Sequence, residues 1–286
     1  LNILPQTWQL INDSGLFKEE FLSQNTVTFQ EIKGSISLVT DSVRGSKPMS
    51  GTNDVRKIHS YALTHHQFVD ALYPDDIAGK SAYTDLTVAD NEADAIARKM
   101  TKIRKSFDMT KEFARFKTLV TGQAWAPNGT IVADFYSDFG ITRNTVDFLF
   151  GATTTDIIAK CESVIRGFQD SAQGGVIITG VTAYASKEFF AKLISHAKVQ
   201  TAYTYYTATE GQSILRERAG GMGLYRKFYY AGITFIEVPT GVNGSTYIPA
   251  GECYFVAEAD DDSFVTYYGP ANRFGLVNTI AMPQYM

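Results

Sequence analysis

The sequence predicts an α+β fold, and three observations carry that assignment. A β-patterned stretch runs over residues 26–63, an uninterrupted helical pattern follows over 90–121, and the rest mixes short helical and strand patterns. Strands come first, then helix, then both. That order suits segregated elements better than the regular alternation of a doubly wound sheet.

Residues 1–25 mix Ile3, Leu4, Trp8, Leu10 and Ile11 with Pro5 and Gly15. Two readings stay open here: a frayed terminus, or an arm that docks on something, because a free tail rarely carries Trp and so many aliphatics. Leu16 to Leu22 has the content of one or two helical turns. In 26–63, Val27 and Phe29 alternate with polar neighbours, as do Ile36 and Leu38. On the return, Ile58, Ser60 and Ala62 alternate with His59, Tyr61 and Leu63. Residues 40–54 between them hold Gly45, Pro48 and Gly51, a turn-rich tip. The pattern is a long two-stranded excursion. Such a hairpin is marginal alone in water, so a partner surface is expected to cover it.

The helix over 90–121 is the clearest element. Asp90 or Asn91 suits its N-cap, and Glu92 and Asp94 favour the positive end of the helix dipole. Ile96, Met100, Ile103 and Phe107 recur at spacings of 4, 3 and 4, and Phe113, Phe116 and Val120 continue the series. No Pro or Gly interrupts it before Gly122, which suits a terminator. At 1.5 Å per residue the helix spans about 45 Å, far beyond the usual three turns. It is expected to span a subunit.

Asn128-Gly129 separates Gln123–Ala126 from Thr130–Tyr136, which signals a tight hairpin. Thr155–Ala172 reads as a helix with Ile157, Ile158, Cys161, Val164, Ile165 and Phe168 on one face. Gly174-Gly175 leads into a short buried strand at Val176–Ile178, and Ser186 caps a helix running through Ile194. Residues 200–212 form a tyrosine-rich loop, and 213–226 is partly helical. Strands are expected at Ile233–Val238, Tyr247–Ile248, Cys253–Ala257, Ser263–Tyr268 and Gly275–Met282, with a second hairpin turn at Asn243-Gly244.

Composition narrows the function classes. Apolar residues make up 44%, and 26 basic against 30 acidic residues give a net charge of −4. That balance disfavours a protein whose whole surface wraps nucleic acid, while leaving room for a local basic patch. Two cysteines, Cys161 and Cys253, exclude a disulfide framework and four-cysteine zinc sites. No apolar run reaches membrane-spanning length, and the start lacks the basic and apolar regions of a signal peptide. The chain does not begin with Met, which reads as a trimmed start.

Motifs of catalysis fail on their own terms. Gly79-Lys80-Ser81 lacks the earlier glycine of a phosphate loop, because Pro74 stands there. Gly220-Gly221-Met222-Gly223 has no dinucleotide spacing and suits a flexible turn. His59, His65 and His66 do not converge as metal ligands, since His65 and His66 point to opposite faces of an extended chain. Asp260-Asp261-Asp262 lacks the spaced oxygens and bidentate Glu of a calcium loop. Asn128-Gly129-Thr130 and Asn243-Gly244-Ser245 match glycosylation acceptors but are better explained as turns. No nucleophile elbow occurs, and Cys161 sits on an apolar helix face. No cofactor, metal or catalytic residue is assigned. On the long helix, Arg98, Lys102 and Lys105 stand at 4 and 3 spacing on one side, with Asp94 one turn before. They form either a solvated face or a stripe facing nucleic acid or an acidic neighbour.

These features together resemble the major capsid protein E family of lambda-type tailed phages, which has the Hong Kong ninety-seven-like capsid fold. The carrying strings are Val27-Thr-Phe-Gln-Glu-Ile-Lys-Gly34, Val43-Arg-Gly-Ser-Lys-Pro48 and Leu72-Tyr-Pro-Asp-Asp-Ile77. They continue through Thr110-Lys-Glu-Phe-Ala-Arg-Phe116 to Asn128-Gly129-Thr130, then Ala231-Gly-Ile-Thr-Phe-Ile-Glu-Val238 and Tyr247-Ile-Pro-Ala-Gly-Glu252. Their order along the chain is the evidence.

The resemblance implies an N-terminal arm over 1–25, an extended loop over 26–63, a peripheral domain over 64–150 with its spine helix at 90–121, an axial domain over 151–265, and a tail strand over 266–286 returning to the peripheral domain. It implies a structural protein and no enzyme. Copies would assemble with themselves as hexamers and pentamers into an icosahedral shell in the host cytoplasm, forming the virion capsid. Packaged double-stranded DNA, held without sequence specificity, and portal and scaffolding proteins are the implied partners, with a cement or decoration protein as an optional one. No scaffolding segment precedes Leu1, which implies a separate or already cleaved scaffold. Arg98, Lys102 and Lys105 become a DNA-facing or inter-subunit stripe, and Arg44 and Lys47 an inter-subunit loop. Lys33 and Lys47 are available for the crosslink some relatives make, but no motif identifies an acceptor, so none is carried over. The alternatives are an encapsulin-like shell loaded with protein cargo, and a thiol-dependent hydrolase using Cys161 or Cys253.

Overall fold

The computed structural model describes residues 9–33, 55–68, 70–77, 92–126, 129–172, 177–202, 226–239, 241–242, 245–259 and 264–270. Among them, 9–18 with 68–265 form one compact unit and 19–67 with 266–270 a second. In chain order the elements are α1 (Leu10–Ser14), β1 (Lys18–Phe21), β2 (Thr26–Lys33), β3 (Val55–Ala62), α2 (Glu92–Thr121), β4 (Gln123–Trp125), β5 (Ile131–Asp134), α3 (Phe135–Phe139) and α4 (Ile157–Ala172). There follow β6 (Ile178–Ala185), α5 (Lys187–Ser195), β7 (Lys227–Tyr230), β8 (Ile233–Glu237), β9 (Gly241–Val242), β10 (Ser245–Thr246), β11 (Cys253–Ala259) and β12 (Val265–Tyr268). Helix and strand are both abundant, as an α+β chain requires.

The first unit is built on a four-stranded sheet in the order β11-β6-β8-β7. β6 and β8 run parallel, and β11 and β7 flank them antiparallel. Side chains alternate across a strand, so each face collects its own set. Val181, Ala183, Ile233 and Phe235 pack with Ile157, Cys161 and Val164 of α4 and with Phe189, Phe190 and Leu193 of α5. The opposite face presents Tyr184, Ile236 and Val256 to Phe116 and Val120 of α2 and to Leu10 and Ile11 of α1. Three layers result, each apolar face covered by helix.

Helix α2 has 30 residues and spans about 45 Å. The longest strand it could lie against, β6, has eight residues and spans about 26 Å. The helix therefore overhangs. Phe116 and Val120 are buried near its C-terminal end, whereas Ile96 is 43% exposed and Met100, Ile103 and Phe107 are half-buried. The apolar series read along the whole helix thus splits into a core half and a half that is only partly covered. Gly122 ends the helix with φ +69°, and its N–H donates to the Thr118 carbonyl at 2.8 Å. A Cβ there would strike the Tyr136 ring.

Several sequence expectations shift. The helical turns expected over Leu16–Leu22 are instead β1, because Gly15 at φ +71° closes α1 and the following chain pairs with β12. Lys18 N–H donates to the Phe264 carbonyl at 2.9 Å and Leu22 N–H to the Tyr268 carbonyl at 2.8 Å. The strand expected to run to Tyr136 stops at Asp134, whose side chain accepts the Ser137 N–H at 3.2 Å and caps α3. The strand placed at 176–178 is really β6, and Ile177 is 74% exposed. Tyr247 and Ile248 are buried in a bend rather than a strand. Ile158 sits about 100° round α4 from Ile157 and is exposed. Residues 200–202 are helical rather than loop. Ser186 does cap α5, accepting the Phe189 N–H at 3.3 Å. Ile36, Leu38, Asp90, Asn91, Asn128, Asn243-Gly244, Gly79-Lys80-Ser81, Gly220 to Gly223, Asp260 to Asp262 and the strand expected at 275–282 lie outside the described residues.

In the second unit β2 and β3 pair antiparallel from Thr26↔Ala62 to Lys33↔Val55. Val27, Phe29, His59 and Tyr61 share the inner face, with the Phe29 ring 5.6 Å from that of Tyr267. His59 Nε2 lies 3.0 Å from Glu31 Oε2 on this face. The outer face carries Ile58, 70% exposed.

Candidate functional site

The overhanging half of α2 carries the basic residues singled out by spacing. Lys102 is exposed, and Arg98 and Lys105 are half-buried. Their 4 and 3 spacing keeps them within about 60° of one another around the axis. Lys99, on the next flank, bridges Asp70 at 3.2 Å and donates to the Ala71 carbonyl, which ties that connecting segment to the helix. Arg44 and Lys47 lie outside the described residues.

The other half of α2 buries charge. Glu112 is 1% exposed and Arg115 is 5% exposed. Glu112 Oε1 accepts the Ile11 N–H at 2.7 Å, and Oε2 accepts the Asn12 N–H at 2.8 Å. These are donors of the first turn of α1, which have no partner inside their own helix. Arg115 donates to Asn12 Oδ1 at 2.7 Å and stands over the Phe17 ring, 5.3 Å from its centre. Burial pushes the Glu112 carboxyl up, against the pull of the two N–H groups and Arg115. No local spacing in the sequence marks Glu112 or Arg115 as buried. Only the remote partner reveals their role.

The C-terminal end of α2 is held by Arg143. Its guanidinium donates to the Val120 carbonyl and lies 5.2 Å from the centres of both the Tyr136 and Tyr254 rings. A cation that satisfies a terminal carbonyl also complements the helix dipole. Nothing local in the sequence marks this residue.

The groups weighed for chemistry are dispersed. Burial raises the Cys161 thiol to about 12 and the Cys253 thiol well above its ordinary range. Thiols so protonated are poor nucleophiles. His59 faces Glu31, and the His66 ring pairs with the Thr64 hydroxyl at 2.9 Å. Among the described residues no three His, Cys, Asp or Glu side chains are grouped to hold a metal ion, and no helix is long and apolar enough to cross a membrane.

Known proteins match along the full length. Residues 1–286 match the family model described as phage major capsid protein E. The chain is 37% identical over 299 residues to a major capsid protein of Pseudomonas phage KPP10, covering 99% of this chain and 84% of that protein. It is 27% identical over 314 residues to a major capsid protein of Salmonella phage Felix O1 (isolate Felix O1-VT1), again covering 99% of this chain and 84% of the relative. The order of strings along the sequence and the full-length match agree: this chain belongs to the phage major capsid protein E family.

Proposed function

We propose that this chain is the repeating subunit of a phage head shell, assembling with itself as hexamers and pentamers into an icosahedral container for double-stranded DNA. The observation that carries it is the overhang of α2. A helix of 30 residues buries its C-terminal half in its own unit and leaves Ile96 43% exposed in the other half. Apolar surface left open on one subunit suits burial against neighbouring copies.

The domain scheme follows from the same reading. Residues 1–25 serve as the arm, 26–63 as the extended loop, 64–150 as the peripheral domain with α2 as its spine, 151–265 as the axial domain and 266–286 as the tail strand. The β2–β3 pair supports the loop assignment, because its inner face packs within the chain while its outer face leaves Ile58 open to a covering neighbour. Arg98, Lys102 and Lys105 form a stripe facing DNA or a neighbouring subunit, and Arg44 and Lys47 contact a neighbouring subunit. Portal and scaffolding proteins and the packaged genome are the partners this role requires. Assembly takes place in the host cytoplasm and the product is the virion capsid. The role calls for no catalysis, and the burial of Cys161 and Cys253 removes support from a thiol hydrolase.

The test is sedimentation of the expressed chain, followed by nuclease treatment of the fast fraction. Large particles protecting double-stranded DNA support the proposal. Large particles protecting protein cargo alone would point to a cargo shell, and a small soluble oligomer would refute assembly.

A further inference from the structure

Helix α1 has five residues, too few to hold a helical conformation alone in water. Its order depends on what it docks against. Leu10 and Ile11 enter the core beside Phe116 and Val120, and the carboxylate of Glu112 accepts two of the N–H groups that its first turn leaves open. These contacts bridge about 100 residues of chain. The segment is also bounded by a joint. Gly15 has φ +71° and nothing within 4 Å of where its Cβ would stand. Beyond it a cleft of about 340 Å³, lined among others by Ser14, Leu16, Thr182 and Glu258, lies between this stretch and the sheet.

We propose that residues 9–14 are a detachable clasp, hinged at Gly15 and latched by the two acceptor oxygens of Glu112. The choice of a carboxylate makes the latch reversible. An apolar residue at position 112 would leave the Ile11 and Asn12 N–H groups without this acceptor when docked. Glu112 is desolvated when docked and hydrated when released, so its solvation offsets part of the apolar gain. The Glu112 bonds, the Arg115–Asn12 bond and the contacts of Asn12 with the Asp108 carbonyl and of Ser14 with Tyr184 then decide the balance. Release frees six residues, which span about 20 Å when extended. It also uncovers an apolar socket on α2, while the three layers of sheet and helix stay closed by the remaining contacts. The clasp is a property of the subunit and holds whether or not the chain forms shells.

The test is hydrogen exchange read by mass spectrometry on the full chain. Glu112→Gln keeps the side-chain volume but replaces one acceptor with an N–H₂ that faces the Asn12 N–H. Exchange in peptides covering 9–14 should rise about tenfold or more, with peptides of β6, β8 and α4 unchanged. Asn12→Ala removes the bonds to Arg115 and the Asp108 carbonyl while keeping both Glu112 bonds, and should give a smaller rise confined to the same peptides. A rise spread over the sheet in both variants would show that α1 belongs to the cooperative core. No rise in either variant would show that Glu112 does not hold it. Each of these results overturns the proposal.

Discussion

Glu112 Oε1 accepts the backbone N–H of Ile11 at 2.7 Å, so a side chain in the C-terminal half of α2 caps the start of α1. The partner oxygen does the same for Asn12. A helix start normally finds its acceptor in its own N-cap residue, but Gln9 makes no side-chain cap bond here.

That relationship sets a pH dependence of defined sign. Burial raises the Glu112 pKa above its ordinary value. A carboxyl raised in the docked state binds its proton more tightly there, so ionisation costs docking stability in full above the raised pKa, and that cost fades as pH falls from there to the ordinary carboxyl value. Mild acid should therefore leave residues 9–14 protected, or protect them further, although it removes the charge. A protonated carboxyl retains acceptor lone pairs on both oxygens, whereas Gln does not. Exchange rates corrected for intrinsic pH effects check this. Loss of protection in this segment alone, as pH falls through the Glu112 titration, would reverse the sign.

Gly122 gives a second prediction. Its φ of +69° disfavours any L side chain, and the Tyr136 ring fills the space a Cβ needs. Gly122→Ala should lower stability by about 1–3 kcal/mol from backbone strain, with the steric clash added. Adding Tyr136→Leu should recover the steric part only. Chemical denaturation of the two variants and Tyr136→Leu alone separates the contributions.

How much was legible in the sequence follows from which contacts are local. Helix α2 was readable because its run is unbroken and Gly122 stands at its end. Ser186 was readable as a cap because its partner, Phe189, lies three residues away. The β2–β3 pairing was readable from alternation and a turn-rich middle. What escaped depends on distant partners. β1 is a strand because of β12, and Glu112 and Arg115 are buried because α1 reaches them from the far end of the chain. β6 was misplaced because Thr179 to Ala185 holds mostly small residues, and its burial comes from strands on both sides. Ile158 and Ile177 looked like core by residue type, and both face outward.

The basic stripe makes a third prediction. Changing Arg98, Lys102 and Lys105 together to Gln should spare the fold, since none of the three is fully buried. If the stripe faces packaged DNA, empty particles should still form, and DNA retention should fall at low salt with a smaller difference at high salt. Equal retention of DNA by wild-type and variant particles would leave the stripe as a solvated face.

The register of the hairpin supplies a fourth. Lys33 pairs with Val55, so replacing residues 34–54 by Asn-Gly closes the strands with a two-residue turn. The variant should keep its helix content and a cooperative melt. If the excursion reaches a neighbouring copy, the variant should lose lattice formation, because stable interfaces bury more than about 1,000 Å². Normal particles from the variant would show that the excursion is an ordinary surface loop.

The most direct measurement is electron microscopy of the full chain, expressed and concentrated. A shell subunit should give closed shells, sheets or tubes built from six-fold capsomers, with five-fold capsomers where a shell closes. A chain that stays a monomer or a small discrete oligomer at every concentration, with no six-fold capsomer in any class average, would contradict the assignment of self-assembly to this protein.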